Sequence, residues 1–131
     1  MDMEGALRAR LLAAAPVTAL VGQKIYWEER PQAAALPAIT LNLVVDRRPQ
    51  HMGGFQSVRD GDLQVDVWAT KFSDKKAIKE AVIAALAPAY PGNGIRFQAA
   101  TSVDAFAQNE RTETQYIYHE IVRMTLHYSP V

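Results

Sequence analysis

Apolar residues recur along this chain with two different periods, and the changes between them mark its elements. Over residues 3–14, Leu7 and Leu11 stand four apart and Leu12 widens the stripe, which predicts a helix. Asp2 is the expected N-cap, and Glu4 suits the positive end of the helix dipole. Pro16 is expected to stop this helix, with one further turn over residues 16–20 before Gly22, which suits a C′ position. Lys24, Ile25, Tyr26 and Trp27 read as a short strand. Residues 28–36 mix Pro31, charges and alanines without alternation and read as a loop.

Residues 38–45 are β-rich, and Pro37 is tolerable at a strand start. The stretch 46–55 holds Pro49, Gly53 and Gly54, reads as a long connection, and leads to a strand over 58–70. In that strand Leu63, Val65, Val67 and Ala69 share one face, with Gln64, Asp66 and Trp68 on the other. Ser73 is the expected N-cap of a second helix over 74–87. Its inner stripe is Ile78, Val82 and Leu86, its wet side carries Lys75, Lys76, Lys79 and Glu80, and Pro88 ends it. Turn residues at 91–94 precede a loose strand over 95–106 and a polar turn over 108–114. The longest strand spans 115–128, where Tyr116, Tyr118, Val122, Met124, Leu126 and Tyr128 share a face broken by Glu120. The expected order is α-β-β-β-α-β-β. That predicts an α+β fold, a mostly antiparallel sheet with two helices packed on one face.

Length narrows the picture to one domain spanning residues 1–131, with a radius of gyration of ~14 Å. Fourteen basic residues balance fourteen acidic ones, which argues against a strongly basic nucleic-acid footprint and suits self-association. Cysteine is absent, excluding disulfides, thiolate metal sites and a cysteine nucleophile. The acidic N-terminus is unlike a signal peptide, and no run approaches the ~18 apolar residues of a membrane span.

Candidate chemistry is sparse. His51 falls in the long connection, while His119 and His127 lie eight apart on the last strand, ~27 Å, too far to share a metal. Asp66 between two valines could serve as a general base, but the position better suits a sheet face that is partly wet or lies at a subunit interface. Gly53-Gly54 lacks the Lys-Ser/Thr sequel of a phosphate loop. The expectation is therefore no catalytic residue, no metal and no cofactor. The basic groups Arg47, Arg48 and Arg59, together with His51, Met52 and Phe55, flank or occupy the least self-satisfied segment. They are the candidate partner or subunit interface, set against the plainer reading of arginines paired with neighbouring aspartates on a solvated turn.

The order of several blocks resembles the tail-completion, or tail-terminator, proteins of long-tailed bacteriophages, prophages and gene transfer agents. The blocks are the Ala-Leu-Arg-Ala-Arg-Leu-Leu helix at Ala6 to Leu12, and Leu20-Val21-Gly22 with Ile25-Tyr26. They continue with Leu36-Pro37-Ala38-Ile39-Thr40 and with Leu63-Gln64-Val65-Asp66-Val67-Trp68-Ala69 entering an amphipathic helix. The resemblance implies a non-enzymatic virion protein in the neck region of the tail, present in the host cytoplasm during assembly. It implies a ring, generally hexameric, on the head-proximal end of the tail tube. That ring ends tube polymerisation and offers a head-joining surface. The implied partners are further copies of the chain, the tail tube protein and a head connector or neck protein, with transient passage of DNA through the channel and no membrane. The alternatives are a head-closure or connector-adjacent neck protein and a small α+β ligand-binding domain.

Overall fold

The computed structural model describes residues 2–29, 35–48, 50–51, 54–55, 58–92 and 94–130, with 50, 51, 54, 55 and 130 described by their backbone. Helix α1, Met3–Ala13, begins as the sequence predicts, with the Asp2 side chain accepting the Gly5 amide at 2.8 Å. The first helix ends before Pro16, and the further turn expected over residues 16–20 is present as a longer helix. Ala14 turns extended, and Pro16 opens a separate helix α2, Ala15–Val21, where its fixed φ and missing N–H cost nothing. Gly22, at φ 62°, closes α2.

Strand β1 is Ile25–Trp27, β2 Ala38–Arg47, β3 Gln50–His51, β4 Gly54–Phe55 and β5 Arg59–Ala69. Helix α3, Phe72–Leu86, follows, then β6 Tyr90–Gly92, β7 Ile95–Phe97, β8 Thr101–Ala107, β9 Glu110–Arg111 and β10 Tyr116–Pro130. Among the described residues three helices therefore replace the expected two, and the order α-β-β-β-α-β-β is corrected in four further places. The connection after β2 contains a two-strand ladder of β3 with β4. Residues 91 and 92 of the expected turn belong to β6, which pairs antiparallel with β7, and Gly94 stands at φ 81°. The loose strand over 95–106 divides into β7 and β8, and β9 lies inside the expected polar turn. Ser73 does not cap α3. The N-cap is Lys71, whose side chain makes no capping bond.

The main sheet runs β1-β2-β5-β10-β7-β6, with β8 and β9 also on β10. The β1–β2 pair is parallel and every other described pair antiparallel, so the sheet is mixed. Strand β10 is the spine. One edge pairs with β5 from Tyr118↔Ala69 to Tyr128↔Arg59, and the other is shared by β9, β8 and β7 in turn.

The register places Val122 beside Val65 and Val65 beside Leu41 on one face. That face meets all three helices. Leu7 and Leu11 of α1, Val17 of α2, and Ile78, Val82 and Leu86 of α3 pack there at 0% exposure. The apolar spacing read from the sequence is thus the packing face, and its burial is the main stabilising contribution. The buried Arg10 guanidinium joins this side. Its Nη2 donates to the Pro88 carbonyl at 2.6 Å, and its carbon stands 4.7 Å from the Tyr90 ring centre.

Candidate functional site

Three clusters of polar or aromatic side chains lie outside the helix-packed core. The first is the end of the β2–β5 hairpin, where the sequence places its candidate interface. Opposite residues of the hairpin bring Arg47 alongside Asp60, and its guanidinium forks onto Asp62, with Nη2–Oδ2 at 2.6 Å and Nη1–Oδ1 at 3.3 Å. That double hydrogen bond holds the Asp62 carboxyl below the ordinary aspartate range and raises Arg47 further. Arg48 reaches Asp46 at 3.3 Å, and Asp46 also accepts the Tyr128 hydroxyl at 2.8 Å. Burial, with that hydrogen bond second, pushes Tyr128 up to about 12.

Arg59, Arg48, Asp46 and Tyr128 line one cleft of about 280 Å³ with Asp2 and Glu4 of the α1 end. The hairpin end thus brings Arg47, Arg48 and Arg59 together. His51 lies in β3 and Phe55 in β4, while Met52 falls outside the described residues.

The second cluster lies on the sheet face away from the helices. Trp68 and His119 are cross-strand partners, stacked with ring centres 3.8 Å apart and planes 12° apart. Trp68 Nε1 donates to Thr40 Oγ1 at 3.1 Å. His119 Nε2 stands 3.3 Å from Asp66 Oδ2, and Asp66 accepts Gln64 Nε2 at 3.0 Å. Asp66 and His119 are each 8% exposed, so this part of the face is largely dry. Farther along the same face, His127 joins Asp60 at 2.7 Å and Thr101 Oγ1 at 3.2 Å. This hydroxyl–imidazole–carboxylate chain ties the start of β8 through β10 to β5. The strand histidines therefore each take a carboxylate on β5 and share nothing. Among the described residues no group of three or more His, Asp or Glu is placed to hold a metal.

The third cluster is aromatic, at the start of α3. Tyr118 contacts Phe72 edge-on at 6.1 Å and Tyr116 at 4.8 Å, with Lys75 over Tyr118 and Arg111 over Tyr116. Phe72 is 57% exposed. The tyrosine stripe of β10 thus divides, with Tyr128 in the core and Tyr116 in solvent. Sequence reasoning passed over Phe72 and Arg10. The partners that reveal them lie across the fold, at separations no local pattern encodes.

Known proteins give this geometry a context. A family model described as "Tail completion protein gp17" matches residues 5–124. Among solved structures, 31 chains match. One is described as the virion of a native gene transfer agent (GTA) particle. It matches at a TM-score of 0.70 and 20% identity, over 97% of this chain and 94% of that one. At that identity the likeness is one of fold. No curated protein sequence matches the chain. The family match spans nearly the whole chain, both helix-packed core and outer sheet face, and it is a match to a structural family, not to an enzyme. The chain belongs to the tail completion protein gp17 family and is a structural protein of a virion tail.

Proposed function

We propose that the protein, in a phage or gene-transfer-agent particle, forms a ring, hexameric as in tail terminators, on the head-proximal end of the tail tube. The ring ends tube polymerisation and provides the head-joining surface. The observation that carries this reading is the tail completion family match over residues 5–124. The balanced charge and the fold shared with a chain of a gene transfer agent virion support it.

In this reading the hairpin end with Arg47, Arg48 and Arg59, extended by His51, Met52 and Phe55, contacts a neighbouring subunit or an axial partner, the tube protein or the head connector. Residues facing the channel meet passing DNA only through weak phosphate contact, since tight binding would stall the genome.

The test is electron microscopy of particles made with and without this protein. A terminator predicts tubes of irregular, excess length in its absence, and an added ring of density at the tube end in its presence. Tails of normal length that fail to join heads would instead assign a head-closure or neck role, and unchanged particles would remove the protein from assembly altogether.

A further inference from the structure

Among the strand edges of the main sheet that have no partner strand among the described residues, two carry exposed apolar side chains. The first is the far half of β2. Strand β1 covers Ile39 to Leu41 and stops, so residues 43–47 pair with β5 alone. Val44 and Val45 on that edge are 60% and 37% exposed. The second is β8, which pairs with β10 on one side only. All seven of its residues are exposed, including Val103 and Phe106. An open edge is a row of unsatisfied N–H and C=O groups that templates another strand, and β8 carries no Lys, Arg or Pro to deter one.

The two edges belong to one block. Register runs from Ala105 through Val122 and Val65 to Leu41, and from Thr101 through Thr125 and Asp62 to Val45. The edges therefore lie on opposite sides of the same four strands. Three successive antiparallel pairings leave β8 and β2 running in opposite directions. A second copy turned to follow the first would then bring its β2 against β8 in antiparallel sense. The edges also differ in charge. The β2 side ends in Arg47 and Arg48 beside Asp46, whereas Asp104 is the one charged residue of β8.

We propose that β8 of one copy pairs antiparallel with residues 43–47 of the next, so that copies join head to tail through a continuous sheet. This rests on the ring reading above and names its subunit contact. The contact uses two different surfaces, the heterologous type that forms a ring when the rotation between copies closes. The sheet is curled enough that Val44 of β2 and Asp104 of β8 line one cleft of about 280 Å³.

The chain has no cysteine, so single cysteines can report the contact. Val44→Cys and Ala105→Cys are both at exposed positions. Each variant alone, and an equimolar mixture, would be treated with a short bis-maleimide, in isolation and on tail tubes. Val45→Cys with Val103→Cys repeats the test, and circular dichroism confirms that every variant is folded. Cross-linked dimers in both mixtures and none in the single variants are expected. A dimer from Ala105→Cys alone would mean that β8 pairs with β8, overturning the proposal. No dimer in either mixture, while the unaltered protein forms a ring, would overturn the edge contact and leave the ring reading standing. Dimers in a protein that never caps tubes would do the reverse. Neither dimers nor a ring in any state would remove both.

Discussion

The imidazole of His119 lies flat on the indole of Trp68, 3.8 Å between ring centres, on the sheet face opposite the helices. Trp68 thus anchors a cross-strand stack, and its indole N–H is held by Thr40. Trp68→Ala should cost ~3–5 kcal/mol, the usual range for truncating a packed tryptophan. Trp68→Phe should cost less, since it keeps a ring for His119 and loses one hydrogen bond, about 1 kcal/mol. Urea denaturation of the two variants measures the difference. Equal losses would show that the stack contributes nothing beyond the hydrogen bond.

Arg10 offers a prediction of opposite sign. It is 4% exposed, its Nε and Nη1 have no hydrogen-bond partner, and burial lowers its pKa. The Tyr90 and Phe97 rings and the Pro88 carbonyl compensate in part. Replacing a poorly paired buried charge with an apolar side chain of similar length is often neutral or stabilising. Arg10→Met should therefore leave the urea midpoint unchanged or higher, whereas Arg10→Ala should lower it by opening a cavity between α1 and β7. A Met variant as unstable as the Ala variant would assign Arg10 a net stabilising role.

Tyr128 sets an alkaline limit. Its folded pKa, about 12, lies above the ordinary 10.0, because burial and the hydrogen bond to Asp46 favour the neutral phenol. A raised pKa means a stabilisation fully present below pH 10.0 and lost as pH rises towards about 12. For a residue 3% exposed, a rise from 10.0 to about 12 corresponds to roughly 2–3 kcal/mol. Thermal unfolding should show that loss, and Tyr128→Phe should flatten the profile over the same window. Asp62 works at the other extreme. Its pKa is lowered by Arg47, so its stabilisation is present above the unfolded value of 3.8 and fades as acid protonates the folded carboxylate. Asp62→Asn should remove that acid-side slope, by a small amount at so exposed a pair.

Much of this was legible in the chain. The four-residue spacing of Ile78, Val82 and Leu86 and the alternation of Leu63, Val65 and Val67 located the packing faces, because burial imposes those periods directly. Proline was the harder sign. Pro16 could end one helix or open the next, and the choice turned on Ala14 becoming extended, which no local preference dictates. The division of β7 from β8 was hidden for a related reason. Both pair with β10, but at separate places along it, Phe97 with Tyr128 and Ala105 with Val122. The outer-face cluster depended on register. Asp66 and Trp68 were placed together by alternation, yet only the pairing of β5 with β10 brings His119 between them.

The hairpin-end arginines give the functional prediction. Arg47 and Arg48 are roughly half exposed and engaged with Asp62 and Asp46, as a solvated turn requires, so the fold should tolerate their loss. Arg59 shares a cleft with Arg48 and the acidic start of α1. Changing all three to glutamate should leave a folded protein by circular dichroism, with only a modest drop in thermal midpoint, because no core residue is touched. It should also impair assembly, since three reversed charges facing one partner cost complementarity at the encounter and in the docked state. Complementation of a deletion with this triple variant, followed by measurement of tail length and head joining, tells which partner is met. Overlong tails would place the hairpin end against the tube. Tails of normal length without heads would place it on the connector side. Normal tails and normal infectivity, from a variant present at ordinary levels, would reduce the cluster to solvated surface.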